Sequence, residues 1–223
     1  MNLVRLALVA GLTVLGGCAG PQPPQWQMDA HDTLERFRVA YLQGNSRLAD
    51  RYLADARTAL SSTARPELAV RVDVIRCALG TSSLDFDACA AARELTQWMD
   101  SEDRAYFEFL TGDWQRVESR LLPEQYRPLV PFRDDISAHR LLTGIADPLS
   151  RLIAAGVLFK HGHLSPGGVA LAVETASAQG FRRPLLAWLT VQEKLASTAS
   201  DPDLHRKVQA RIDLLKGTSA PKP

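Results

Sequence analysis

Three cysteines are the residues of this chain most suited to covalent chemistry, and their surroundings predict different roles for them. Cys77 and Cys89 lie twelve residues apart, in two segments with helical patterns. In an oxidising compartment such a pair usually forms a disulfide, and a helical hairpin would bring the two Cα atoms close enough. The spacing differs from the Cys-x-x-Cys of redox-active pairs. A structural disulfide is predicted, with two buried free thiols as the alternative.

Two histidines, His161 and His163, flank a glycine and are the chain's best candidates for metal ligands. A metal site needs further ligands, and nothing near this pair in the sequence supplies them. Both imidazoles are instead expected to cap helix carbonyls or to face solvent. We predict no metal and no other cofactor.

The sequence contains no recognisable catalytic motif. It lacks the Gly-x-Ser-x-Gly of serine hydrolases, the His-Glu-x-x-His of zinc proteases and a glycine-rich phosphate loop. Adjacent acids occur at Glu102-Asp103 and Asp134-Asp135. Because adjacent side chains on a helix point in different directions, these pairs are predicted to lie on solvated faces. The chain is predicted not to be an enzyme.

The first 18 residues resemble the signal peptide and lipobox of bacterial lipoproteins. Arg5 precedes an apolar stretch at residues 6–15, which is shorter than the roughly 20 residues that span a bilayer, and small residues lead to Cys18. In that family the cysteine thiol receives a diacylglycerol, the signal is cleaved before it, and the new amino terminus is usually acylated. The resemblance implies a lipid anchor at Cys18. The alternative is an ordinary secretory signal in which Cys18 is incidental.

The residue after Cys18 bears on the membrane to which such a lipoprotein is sent. In some bacteria an aspartate at this position retains a lipoprotein in the inner membrane, whereas this chain has Ala19. The resemblance therefore favours the outer membrane, with the protein on its periplasmic side. Two or more acyl chains give stable anchoring where one gives only marginal binding.

The charge balance excludes one class of partner. The chain has 26 basic and 25 acidic side chains, and removal of Arg5 with the signal leaves 25 of each. Nucleic-acid-binding domains normally carry a clear basic excess, so no nucleic acid is expected as a partner. No basic cluster near Cys18 is available to bind anionic lipids, so membrane attachment is predicted to depend on the acyl chains alone.

Composition divides the chain into four segments. Residues 1–17 are the predicted signal peptide, and residues 18–28 are the acylated cysteine with a Pro/Gln-rich tether, a composition that favours an extended conformation. Residues 29–216 are predicted to form a helical domain, because apolar residues recur there at intervals of three and four. Residues 217–223 are predicted to be a disordered tail. No segment has the alternation of a strand, so the predicted fold class is all-α.

Start and stop signals outline the helices. Asp147, Ser165 and Asp201 each place a capping side chain before a proline, which predicts three helix starts. Five glycines at intervals of 36, 32, 32 and 36 residues are predicted helix ends: Gly44, Gly80, Gly112, Gly144 and Gly180.

The mean glycine interval of 34 residues and the phrase Thr111-Gly112-Asp113-Trp114 resemble the tetratricopeptide repeat. The small residue expected twelve positions after each turn glycine is present at Ala56 and Ala92, whereas Glu124 replaces it after Gly112. The resemblance implies antiparallel helical hairpins stacked as a solenoid. The alternative is an irregular helical bundle.

The C-terminal half contains the predicted interaction surface. Two of the helices between residues 149 and 195 are apolar almost all round, so they are either buried centrally or offer an apolar surface to a partner. Arginine and aromatic side chains dominate interface energetics. The candidate partner contacts are Phe181, Arg182, Arg183 and Trp188.

These features predict a membrane-anchored periplasmic lipoprotein that acts as a scaffold or assembly factor by binding another cell-envelope protein. The main alternative is a periplasmic small-ligand-binding protein or enzyme with a site between the C-terminal helices. A passive structural lipoprotein is a third. A closed pocket with convergent polar groups would favour the small ligand, and an open surface would favour the protein partner.

Overall fold

Ten α-helices and four short 3-10 helices make up the computed structural model, which describes residues 23–114, 116–130 and 135–217, with backbone alone at 135–137. These residues contain no strand, and the predicted all-α fold class is confirmed. The α-helices are α1 (Gln25–Leu42), α2 (Ser46–Ser61), α3 (Pro66–Ser82), α4 (Ala90–Glu94), α5 (Ser101–Thr111), α6 (Asp135–Gly144), α7 (Pro148–Lys160), α8 (Pro166–Ala178), α9 (Arg182–Thr198) and α10 (Pro202–Lys216). The 3-10 helices are Phe86–Cys89, Thr96–Trp98, Ser119–Leu121 and Glu124–Leu129.

All three predicted capping residues begin helices. Asp147 accepts a hydrogen bond from the Ser150 backbone N–H at 2.7 Å, at the start of α7. Ser165 and Asp201 cap α8 and α10 in the same way, with donor–acceptor distances of 3.2 and 3.0 Å. Each bond satisfies a backbone N–H that has no partner within its own helix. The proline after each capping residue has no backbone N–H, so it leaves no further donor unsatisfied.

Four of the five regularly spaced glycines lie at helix ends. Gly44, Gly112 and Gly180 have φ values of +79°, +85° and +65°, and each follows a helix within two residues. Gly144 is the last residue of α6.

Gly80 does not end a helix, so this part of the prediction was wrong. It lies inside α3, which continues to Ser82. A Cβ at Gly80 would collide with the Asp85 carbonyl oxygen and the Ala88 side chain. Glycine is needed there because the chain after α3 folds back against the helix.

Helix α3 lies between two hydrophobic cores. One core consists of α1, α2 and one side of α3, including Val72 and Leu79. The other includes Val74 and Cys77 of α3 together with residues of α5 to α10. Since α3 buries apolar residues on both sides, it joins the first hairpin to the rest of the domain.

The first helical hairpin also contacts a helix late in the sequence. α1 and α2 pack together as an antiparallel pair, and α1 touches α9 as well as α3. In a linear stack each repeat contacts only its neighbours in sequence. The contact between α1 and α9 therefore favours the irregular-bundle form of the predicted fold.

The predicted disulfide is present between Cys77 and Cys89. Cys77 lies in α3, and Cys89 ends the 3-10 helix Phe86–Cys89. Both cysteines are buried. The bond therefore holds the segment after α3 against that helix.

The ends of the helical region differ in part from the predicted segments. α1 begins at Gln25, directly after Pro24, so residues 25–28 of the predicted tether are helical. α10 ends at Lys216, and Gly217 follows in the left-handed conformation. The predicted signal peptide, Cys18 and residues 218–223 lie outside the described residues. Within the described parts, no helix is both long enough and apolar enough to cross a membrane.

Candidate functional site

An open cleft of about 490 Å³ lies beside the N-terminal half of α9. One wall consists of α9 residues, and the opposite wall includes Ser83 and Asp85 from the segment after α3. We call this feature the α9 cleft. Its α9 wall consists of Arg182, Arg183, Leu186, Ala187 and Thr190.

The helical repeat explains why these α9 residues share one wall. Residues 183, 186, 187 and 190 are spaced by three and four positions, which places them on one face of a helix. Leu185, Trp188 and Leu189 face the hydrophobic core instead. α9 therefore has one face packed in the hydrophobic core and another face that lines the cleft.

Arg183 is held in a fixed position by Tyr41 and Ser46. Its Nε donates to the Tyr41 backbone oxygen and its Nη2 to Ser46 Oγ, both at 2.8 Å. The guanidinium carbon also lies 4.2 Å from the centre of the Tyr41 ring, in a cation–π contact. Because a guanidinium has five N–H donors, these two bonds leave others for a ligand in the cleft.

Arg182 adds a second cation to the α9 wall. Its side chain is exposed, and its Nη2 donates to the Leu215 backbone oxygen in α10. The first turn of α9 contains no acidic residue. The helix dipole and both arginines therefore make this end of α9 positive.

Tyr41 links the two sides of the cleft. Its ring lies under Arg183, and its hydroxyl donates to Asp85 Oδ2 at 3.5 Å. Burial chiefly, and the charge of Asp85 next, raise the pKa of Tyr41, while the charge of Arg183 acts in the opposite direction. Tyr41 is therefore a neutral hydrogen-bond donor near pH 7, and the cleft has a cationic wall facing a carboxylate.

The predicted partner contacts occupy three different environments. Arg182 and Arg183 line the α9 cleft. Phe181 is partly buried and packs against both hydrophobic cores.

Trp188 is a core residue, so its assignment to a partner surface needs correction. Its side chain is fully buried, and its Nε1 donates to the Ser82 backbone oxygen at 3.0 Å. The indole also packs edge-on against Phe159, with ring centres 5.7 Å apart. A partner cannot reach this side chain while α9 stays packed.

Sequence reasoning missed Tyr41, Ser46 and Asp85. Arg183 lies 142 positions from Tyr41 and 137 from Ser46 in the sequence, and only the packing of α9 against α1 brings them together. No local motif marks Asp85. The one available signal was the adjacent pair of arginines at the start of an apolar helix.

The histidine pair lies in a separate aromatic cluster. The His161 ring centre is 4.8 Å from that of Trp114, and its buried Nε2 has no hydrogen-bond partner among the described residues. The His163 ring centre is 6.4 Å from Trp114. Burial chiefly, with the nearby charges of Lys160 and His163, lowers the pKa of His161.

Two further observations bear on the role of this cluster. A Cβ at Gly112 would collide with the His161 imidazole, so the turn after α5 packs directly on that ring. No group of three His, Cys, Asp or Glu residues in the described parts of the chain is arranged to hold a metal ion. The contacts of His161 are those of a packed aromatic residue.

A second buried polar group involves two tyrosines. The rings of Tyr106 and Tyr126 stack with centres 5.7 Å apart, and burial raises the pKa of both hydroxyls. Tyr126 bonds with Ser150, which accepts a 3.3 Å hydrogen bond from Gln125. These neutral groups hold the segment Glu124–Leu129 against α5 and α7.

Comparison with protein-family models, with curated proteins and with solved structures finds no match to this chain, so function is inferred from its own residues.

Proposed function

We propose that the protein is a lipoprotein of the bacterial outer membrane, anchored through Cys18, that binds another cell-envelope protein on the periplasmic side. It acts as a scaffold or assembly factor, and the α9 cleft is its binding surface. Arg182 and Arg183 contact the partner in this account. Phe181 and Trp188 pack into the hydrophobic core and so hold α9 in position.

The position of the cleft relative to the two ends of α1 is the observation that carries this proposal. Arg183 contacts Tyr41 at the C-terminal end of α1, whereas Gln25 starts the helix. An α-helix rises 1.5 Å per residue, so the 18 residues of α1 separate its ends by about 27 Å. The cleft therefore lies at the end of the first hairpin far from Gln25.

The short connection from Cys18 to Gln25 limits how far the start of α1 can lie from the proposed anchor. Seven residues of extended chain span at most about 25 Å. In an acylated protein, this length would keep the start of α1 near the bilayer surface. The α9 cleft lies at the other end of α1 from that anchor and is open to a periplasmic partner.

The shape and chemistry of the cleft also support a protein partner. It is open to solvent and combines charged side chains with the apolar Leu186 and Ala187. Specific interfaces combine apolar contact with polar groups in this manner.

Labelling with palmitate tests the anchor. We expect label on the wild-type protein and none on the Cys18→Ala variant. Equal labelling of the two forms, or no labelling of either, would contradict the proposed anchoring.

A crosslinked pull-down from intact envelopes tests the partner. The proposal predicts one stoichiometric envelope protein with the wild type and its loss with Arg182→Glu/Arg183→Glu. Recovery of no protein would count against the scaffold. The same pull-down with Glu35→Gln, a change on the exposed face of α1, serves as the control.

A small-ligand-binding protein is the second candidate, because about 490 Å³ is within the usual size range of ligand pockets. In that case a small molecule from periplasmic extract would raise the melting temperature of the wild type. The Arg183→Gln variant would not respond.

A further inference from the structure

We infer that the α9 cleft recognises an extended segment of the partner in which an acidic residue and an apolar residue stand two positions apart. This inference rests on the proposed function and deepens it, because it names the chemistry by which the partner is recognised. Four features of the cleft lead to it.

The first feature is that neither arginine of the cleft forms an ion pair within the described part of the chain. Arg182 bonds to the Leu215 carbonyl oxygen, and Arg183 bonds to the Tyr41 carbonyl oxygen and the Ser46 hydroxyl. All three acceptors are uncharged. A carboxylate from the partner would supply the missing negative charge.

Some arginines of the domain bind carboxylates, whereas Arg151, like the two cleft arginines, bonds only to uncharged acceptors in the parts of the chain that the structure describes. Arg57 pairs with Asp73, and Arg71 pairs with Asp100 and Asp103. Those side chains bind carboxylates of the protein itself. Neither arginine of the cleft is bonded to a carboxylate within the described residues, so each is available to one from a partner.

The second feature is that Arg183 is arranged in advance for a carboxylate. The stack on Tyr41 and the two hydrogen bonds fix the plane of the guanidinium. A planar guanidinium with N–H groups to spare matches the two oxygens of a carboxylate. Little side-chain freedom is then lost on binding.

The third feature is the apolar surface beside the cations. Leu186 and Ala187 lie about one helical turn beyond Arg183, or roughly 5.4 Å along the axis. In an extended chain, residues i and i+2 point to the same side and lie about 6.7 Å apart. An acid and an apolar residue two positions apart would therefore meet both parts of the α9 wall.

The fourth feature is Asp85 on the opposite wall. Its carboxylate repels acidic groups and accepts N–H donors, such as the backbone amides of an extended segment. The acid of the partner is therefore directed to the α9 side.

Two matched peptides test this inference on the full-length protein, purified in detergent micelles whether or not Cys18 is acylated. Both peptides carry a rhodamine label and Gly/Ser flanks, and they differ only in a core of Glu-Ser-Leu or Gln-Ser-Leu. The protein has a photo-crosslinking benzoylphenylalanine in place of the exposed Thr190. Labelled adduct is measured against peptide concentration.

We expect the Glu-Ser-Leu peptide to reach half-maximal adduct at a concentration lower by about tenfold, the effect of one charge-assisted bidentate contact. Replacing Asp85 by Asn should strengthen binding of this peptide, since a repulsive charge is lost. Equal yields from the two peptides, or no adduct with either, would overturn the inference.

Two variants report on the arginine itself. Arg183→Gln should remove the preference for the acidic peptide. Because that change also breaks contacts with Tyr41 and Ser46, Ala187→Glu provides a second measurement in which Arg183 remains. It should weaken binding of both peptides, because the apolar wall is altered, and should weaken the Glu-Ser-Leu peptide more, because the new carboxylate repels its acid. A preference that survives both changes would overturn the inference.

Failure here can be told apart from failure of the proposed function. The peptide experiment does not depend on the identity of the partner or on palmitate labelling of Cys18. A partner captured through the cleft by a segment without acidic residues would overturn only the recognition rule.

Discussion

Tyr41 connects the charged groups of the α9 cleft, because its ring supports Arg183 and its hydroxyl reaches Asp85. The sequence predicted both cleft arginines as partner contacts from residue type and local context. It could not predict their environments, since each depends on a residue brought from a distant helix. Trp188 illustrates the same limit, because residue type alone does not tell a core indole from an interface indole.

Replacing Gly112 by Ala should lower the free energy of unfolding by about 1–3 kcal/mol. The substitution places a side chain in the left-handed region, at φ +85°, and against the His161 ring. Gly144→Ala is the matched control, because Gly144 ends a helix and a Cβ there meets open space. Urea unfolding measures both. Equal losses of unfolding free energy in the two variants would contradict the predicted strain and steric clash at Gly112.

His161 should make stability depend on pH. Its pKa is lower in the folded protein than the ordinary 6.5, so the unfolded chain binds more protons between the two values. Its contribution to stability is present above about pH 6.5 and is lost as the pH falls toward the folded pKa.

Urea unfolding of the wild type and of His161→Gln at about pH 7.5 and 5.5 checks the sign of this dependence. The variant should lose less stability on acidification. His31→Gln is the control, because that side chain is 76% exposed. An unchanged pH dependence in His161→Gln would refute the assignment.

At the scale of the elements, local signals predicted most helices but not every boundary. Asp147, Ser165 and Asp201 begin helices as expected because capping depends on neighbouring residues. Gly80 was mistaken for a helix end because its role depends on contact with Asp85 and Ala88. Proline composition suggested an extended tether to residue 28, but the last of those prolines is Pro24 and α1 starts beside it.

The disulfide should raise the stability of the protein by holding the segment after α3 against that helix. By loop-closure entropy, its removal costs about 3 kcal/mol, which corresponds to a melting temperature lower by roughly 6–12 °C. Cys77→Ser/Cys89→Ser should therefore melt below the wild type. Adding reductant should lower the melting temperature of the wild type alone. If reductant destabilises both proteins equally, the effect does not come from this bond.

At the scale of the whole molecule, the all-α class followed from apolar periodicity, whereas the arrangement of helices did not. The contact between α1 and α9 depends on residues separated by most of the domain. That contact also builds the cleft, so a linear solenoid derived from the glycine spacing would have left Arg183 without Tyr41.

The most direct test of the account compares two positions on the first hairpin and α9. Photo-crosslinkers are placed at Thr190 in the cleft and at Ser62, the exposed residue that follows α2 at the opposite end of the hairpin. In cells that make the lipidated protein, we predict that Thr190 crosslinks one exported envelope protein and that Ser62 does not. No protein adduct from Thr190, or the same adducts from both positions, would contradict the central claim.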